Sequence, residues 1–123
     1  MMNETPFRGY IDEGTEIEGD IIARSPLRID GKIKGKIKSN STIIVGKNGE
    51  INGEVLVDEI TISGKVKGKL CSKKGVKIED SAVLEAEVIT PVLSIKEGAI
   101  FKGSAKVLPK DEVNKEIEKV WKF

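Results

Sequence analysis

The chain contains no histidine. That absence removes the side chain most used as a general base near neutral pH and as a metal ligand, so many hydrolytic and metal-assisted chemistries lose their usual centre. Cys71 is the single cysteine, which excludes an intrachain disulfide and suits a reducing compartment; a cytoplasmic location is expected. Aromatic residues make up only 4% of the sequence, so any core must be aliphatic. No apolar run reaches the roughly 18 residues a membrane span needs. The opening MMNETPFRGY lacks the basic-then-apolar order of a secretion signal. An excess of one charge is missing too: 21 basic and 20 acidic residues leave a formal net charge of +1, and no global field draws the chain to polyanions.

What the sequence does have is repetition. IEGDI begins at 17, IKGKI at 33, INGEV at 51, VKGKL at 66, LEAEV at 84 and FKGSA at 101, with spacings of 16, 18, 15, 18 and 17. Each unit reads apolar, x, small, x, apolar, the period of two of a strand with one buried face. A second strand continues through pairs such as Ile21 and Ala23, Ile37 and Ser39, Val55 and Val57, or Leu70 and Ser72. A third follows at Leu27 and Ile29, Ile43 and Val45, Ile60 and Ile62, Val76 and Ile78, then Leu93 and Ile95. Turn residues divide them, including Ser25-Pro26, Asp30-Gly31, Asn48-Gly49, Ser63-Gly64, Lys74-Gly75 and Glu97-Gly98.

Equivalent strands that recur once per repeat stack as coils of a parallel β-helix, with one strand per coil in each of three sheets. The prediction is an all-β solenoid of about six coils, on the order of 29 Å long at about 4.8 Å per coil. The column Gly19, Gly35, Gly53, Gly68, Ala86, Gly103 is expected to line one inner wall, where a larger side chain would collide across the narrow interior. The corner before each motif alternates in length: four residues from Ile29 to Ile33 and from Ile62 to Val66, six from Val45 to Ile51 and from Ile78 to Leu84. A two-coil block of about 34 residues, duplicated in tandem, accounts for this.

The outer positions of the first strand alternate in sign from coil to coil. Glu16, Glu18 and Asp20 are followed by Lys32, Lys34 and Lys36, then Glu50, Asn52 and Glu54, then Lys65, Lys67 and Lys69. Val83, Glu85 and Glu87 come next, and the sixth coil keeps Lys102 beside Ile100 and Ser104. Stacking puts such side chains about 5 Å apart, so each lysine meets carboxylates above and below. Each exposed pair contributes only about 0–1 kcal/mol, yet a slip of one coil would juxtapose like charges throughout, so the ladder chiefly specifies register. KIKGKIK at 32–38 is then a rung of a neutralised ladder rather than a nucleic-acid patch. No nucleic-acid partner and no cofactor is expected.

Catalytic signatures are wanting. No phosphate-binding loop, dinucleotide fingerprint, CxxC or EF-hand loop occurs, and the Glu18 and Asp20 pair is expected on an open convex face with lysines on the adjacent coil and no pocket for acid or base work. IDEGTEIEGDI has the look of a hexapeptide repeat, but the six-residue period fails after it and the histidine such enzymes use is absent. Cys71 follows inward Leu70 and is expected to point outward as a surface thiol beside Lys69 and Lys73.

A solenoid leaves unpaired backbone and open core at both ends. Residues 1–10 form an N-terminal tail, 11–107 the solenoid, and 108–123 a helical tail. In PKDEVNKEIEKVWKF, Pro109 ends the solenoid, Asp111 suits an N-cap, and Val113, Ile117, Val120 and Trp121 share one face. Its eight charges sum to zero, unlike the basic face of a membrane-surface helix. Packing on the rod's own end or flank, docking on a partner and membrane contact remain open for it.

IEGDI, LRIDGKIKGKI, VGKNGEINGEV, ITISGKVKGKL and LSIKEGAIFKGSAKV together resemble the bactofilins, the bacterial polymer-forming cytoskeletal family, over about residues 11–107. The resemblance implies a right-handed triangular β-helix that joins end to end into nucleotide-independent, apparently non-polar filaments. Such filaments often lie at the inner membrane surface, where they organise cell-wall enzymes, motility components and cell shape. It also implies a junction role for a phenylalanine of the last coil, matched by Phe101 in Gly98-Ala99-Ile100-Phe101; an ordinary core role is the alternative. The interface would draw on Ile11 and Ile17 at one end and on Leu93, Ile95, Ile100 and Phe101 at the other. Family members target membranes through an N-terminal tail, for which Met1, Met2 and Phe7 are the candidates here.

Charge favours a different polarity. Head-to-tail stacking would set Lys102 near Glu16 and Glu18 of the next subunit, whereas the resemblance implies head-to-head and tail-to-tail contacts; the resemblance is followed here. The expected function is a self-assembling scaffold. The alternative is a non-polymerising binding module whose helix caps the rod, and a degenerate solenoid enzyme ranks third.

Overall fold

The computed structural model describes residues 9–120. Strands β1 (Gly9–Ile11), β2 (Glu16–Ala23), β3 (Leu27–Ile29), β4 (Lys32–Ser39) and β5 (Thr42–Val45) lead into two long ones, β6 (Glu50–Ile62) and β7 (Lys65–Ile78). Strands β8 (Val83–Thr90), β9 (Leu93–Ile95) and β10 (Ile100–Val107) follow, and helix α1 (Lys110–Val120) closes the series. Every pairing is parallel, β2 on β4 on β6 on β7 on β8 on β10 and β1 on β3 on β5, which is a β-solenoid of about six turns.

The inner columns are unbroken. Ile17, Ile33, Ile51, Val66, Leu84 and Phe101 stack in register along the first face, and Ile29, Val45, Ile62, Ile78 and Ile95 along the third. The middle members of both stacks are fully buried. β-Branched side chains fit this pleated surface, and each such burial contributes about 1.5–3 kcal/mol. Ser39, Ser72 and Thr90 are the buried polar members of the second face's inner column. The Ser72 hydroxyl donates to Asp58 O at 2.6 Å and accepts from Gly75 N at 2.9 Å, while Thr90 donates to Val92 O at 3.0 Å. No buried side-chain nitrogen or oxygen among the described residues lacks a partner.

Three expectations need correction. First, the strands are not separate within a coil: the first two merge everywhere, and β6 and β7 run through all three faces, so Lys74-Gly75 lies inside a strand. The Ser72 hydroxyl bonds hold that corner, where the register shifts between Val57 and Glu59. Second, the glycine column does not face the interior. Gly35, Gly53 and Gly68 sit at the bend between first and second faces with φ of +145°, +147° and +124°, and a Cβ there would strike the carbonyl of the glycine one coil below. The constraint is backbone conformation and coil spacing, not cross-core sterics. Ala86 has an ordinary φ and a buried side chain, so only the fifth coil fits the expected inward column. Third, the solenoid begins at Gly9, not residue 11, because Tyr10 and Ile11 pair with Arg28 and Ile29.

The alternating corners have a steric basis. Wide corners close with backbone bonds from Thr15 N to Asp12 O, Gly49 N to Gly46 O and Ala82 N to Glu79 O. Tight corners sit on the wide turns below: an added carbon at Gly31 would meet the carbonyls of Asp12 and Thr15, and one at Gly64 those of Gly46 and Gly49. Two corner types therefore nest in pairs.

Candidate assembly surfaces

The first-face ladder has the predicted register. Glu18, Lys34, Asn52, Lys67, Glu85 and Lys102 form one column, and Asp20, Lys36, Glu54, Lys69, Glu87 and Ser104 another. The third column runs Glu16, Lys32, Glu50, Lys65, Val83, Ile100. Lys36 Nζ lies 3.8 Å from Glu54. Lys32, Lys34 and Lys36 of KIKGKIK thus stand between an acidic rung below and Glu50, Asn52 and Glu54 above, whereas Lys38 belongs to the second face, between Ile22 and Leu56. A groove of about 430 Å³ on this wall is lined by ladder residues such as Glu16, Lys32 and Asn52. Among the described residues no group of three or more His, Cys, Asp or Glu is placed to hold a metal ion.

Among the described residues both ends present strand edges: β1 and β2 pair only with the coil above them, and β9 and β10 only with the coil below. At the N-terminal end Ile11 is buried, while Ile17, Ile21 and Ala23 are half-buried against the core. At the C-terminal end Leu93, Ala99 and Phe101 are half-buried on the same core, and Ile95 is 48% exposed. Ile100 stands at the top of an outer column above Val83, so it borders this end from the outer wall rather than lining it. Phe101 caps the first-face stack directly above Leu84.

The two ends differ in chemistry. Glu16, Glu18 and Asp20 form the lowest rung, and nearby Arg28 Nε donates to Asp30 at 2.9 Å. The guanidinium holds the Asp30 carboxyl below its usual range, and the Tyr10 hydroxyl, hydrogen-bonded to that carboxylate, is raised. The C-terminal end exposes more apolar surface, with Val92 and Val107 exposed by 56% and 55%, and its outer rung carries Lys102 in place of carboxylates.

Helix α1 lies on the flank. Val113 is fully buried against Leu56 of β6 and Cys71 of β7, with Ile89, Leu108 and Ile117 packed around them. These strand residues form the outer column of the second face, and the helix packs against β7 and β8. Of the readings open for the helix, packing on the rod's own flank is the one observed among the described residues, and Val113 faces the rod rather than a partner. Cys71 points away from the solenoid core as expected, but it is buried beneath the helix, not exposed. Desolvation pushes its thiol up to about 11, with Glu116 adding and Lys73 opposing. Asp111 is the second residue of the helix rather than its N-cap, because Pro109 O already accepts from Glu112 and Val113. There it still faces the positive end of the helix.

The family model of the bactofilins, described as polymer-forming cytoskeletal, matches residues 9–106. The chain belongs to the bactofilin family. No curated protein and no solved structure matches it. The bactofilin match ends where the solenoid does, and it starts at β1, inside the stretch that sequence patterning assigns to the tail. Membership supports a cytoskeletal-type role, and the family is a structural one rather than one of enzymes. No helix among this bactofilin's described residues is long and apolar enough to cross a membrane. Met1, Met2, Phe7 and Trp121 lie outside the described residues, as does the side chain of Val120. Sequence patterning does not single out Tyr10, Val92 and Val107 as end residues. For Tyr10 a signal exists: YIDEG repeats the RID-G corner of residues 28–31, with Ile11 in the place of Ile29.

Proposed function

We propose that this bactofilin is a cytoskeletal scaffold whose rods join end to end into filaments without nucleotide or metal. The reading is supported chiefly by the two stepped ends, where paired strands stop and half-buried Ile17, Ile21, Leu93 and Phe101 are left beside unpaired backbone edges. A second copy is the partner whose backbone continues both sheet and core at such an edge. Ile11 and Ile17 belong to one interface; Leu93, Ile95 and Phe101, bordered by Ile100, belong to the other. The register ladder of alternating charge keeps each subunit's coils in phase. Filaments of this kind would act in the cytoplasm, or at the inner face of the membrane through peripheral contact, by holding cell-wall or motility proteins in place.

Negative-stain electron microscopy with sedimentation of the full chain, in buffer without nucleotide or metal, tests this. Filaments with a subunit spacing of about 29 Å are expected, from about six coils at about 4.8 Å each. A monodisperse monomer or dimer would overturn it and favour a binding module.

A further inference from the structure

We infer that α1 is a lateral guard: it covers an apolar stripe on the rod's flank that would otherwise join one rod side by side to a second copy. The outer positions of the second face read Ile22, Lys38, Leu56, Cys71, Ile89, Lys106 in register from coil to coil. Three successive coils thus put Leu56, Cys71 and Ile89 on the outside of the solenoid, where the first face carries charged rungs. Nothing in the solenoid's own core requires apolar residues there. The helix converts the stripe into a solvated surface, burying Val113 and Ile117 against it and turning Lys110, Asp111, Glu112, Lys115, Glu118 and Lys119 outward.

The occupant of the bared stripe would be the same stripe on another rod. Flat sheet faces pack on each other at about 10 Å. In an assembled filament the stripe recurs once per subunit, so lateral contacts that are weak singly act together. Lys38 one coil below Leu56 and Lys106 one coil above Ile89 bound the stripe, so the apolar contact is confined to these three coils. The guard is also easily released. Eleven residues make a helix that is marginal in isolation, so its order depends on docking through Val113, Ile117 and Leu108. Because it lies on the flank, the helix leaves end-to-end joining untouched and sets only whether filaments stay single.

The test uses the full chain with Val113→Asp and Ile117→Asp together. Cys71, buried under the helix, reports release: its reaction with an aromatic disulfide reagent should accelerate at least tenfold. Filaments should then thicken into paired or bundled forms, and low-speed sedimentation should collect several-fold more protein. Adding Leu56→Lys and Ile89→Lys to that variant should restore single filaments. Fast thiol labelling with unchanged filament width would overturn the inference, as would a thiol that stays protected or bundling that the two lysines do not reverse. This inference builds on end-to-end assembly but is read separately from it. If wild-type rods do not polymerise, the released variant should still sediment as a side-by-side dimer where the wild type is a monomer, and a monomeric variant refutes the guard.

Discussion

A side-chain carbon on Gly53 would run into the carbonyl oxygen of Gly35, one coil below. Gly53 also has φ of +147°, so an alanine there faces both backbone strain and a backbone clash that no side-chain movement relieves. Gly53→Ala should cost at least about 3 kcal/mol. Gly14→Ala is the control: its φ is +91° but nothing lies within 4 Å of the added carbon. It should lose only about 1–2 kcal/mol, the conformational part alone. Equal losses in denaturant unfolding would show that coil spacing is not the constraint.

The ladder predicts coupling rather than large single effects. Lys36 and Glu54 lie 3.8 Å apart and are both partly solvated, so Lys36→Glu should destabilise by about 0.5–1 kcal/mol. Exchanging both, Lys36→Glu with Glu54→Lys, should not restore stability. The carboxylate introduced at position 36 would face Asp20, and the ammonium introduced at position 54 would face Lys69. A double-mutant cycle in urea measures this; full restoration would reduce the ladder to one isolated pair.

Phe101 tops the first-face stack above Leu84 and is half-buried on the core. Among the described residues no further coil lies above its ring, and in the proposed filament a second copy would complete its burial. Phe101→Arg should abolish sedimentable filaments while leaving the far-UV β spectrum. Loss of that spectrum would mark Phe101 as ordinary core.

Most of this fold was legible because each coil repeats one apolar period, and six noisy copies of it fix the register as one could not. The charged columns followed from the same alternation. What stayed hidden were features set by contacts between coils. The glycine column alternates in phase with inward isoleucines, so period alone points Gly53 inward; only its φ and the Gly35 carbonyl show that it turns a corner. Likewise Leu56, Cys71 and Ile89 are scattered singles in sequence and become a stripe only after stacking. Val113 and Ile117 signalled an apolar helix face, but nothing local named Cys71 as its floor.

Filament polarity should respond to ionic strength. A head-to-head junction brings two lowest rungs together, each with Glu16, Glu18 and Asp20, and their repulsion is screened beyond about 10 Å in 0.1 M salt. With non-polar filaments, raising salt from about 10 mM to about 150 mM should lengthen filaments by stabilising the head-to-head junction, while the apolar tail-to-tail junction through Leu93, Ile95 and Phe101 stays intact. Low salt should then leave tail-to-tail dimers. A filament map with all subunits pointing one way, or filaments that shorten as salt rises, would favour Lys102 stacked near Glu18 instead.

Cys71 ties helix docking to pH. Burial under Val113 raises its thiol from the ordinary 9.0 to about 11, so the docked state holds the proton more tightly than the unfolded chain does. A group raised in this way contributes stability that is fully present below about pH 9 and lost as pH rises towards about 11. Cys71→Ala carries no such proton, so the thermal midpoint of the wild type should fall relative to that variant between about pH 9 and 10.5, with no relative change between about pH 7 and 8.5. The comparison removes lysine and tyrosine titration, which both proteins share. Thiol chemistry gives a second reading of the same shift. A gap of about two pH units means a thiolate fraction about 100-fold lower at pH 8, so native Cys71 should react about 100-fold or more slowly than the urea-unfolded chain. A midpoint difference that is flat across about pH 8 to 10.5, together with equal labelling rates in native and unfolded protein, would place Cys71 in water and remove α1 from the flank.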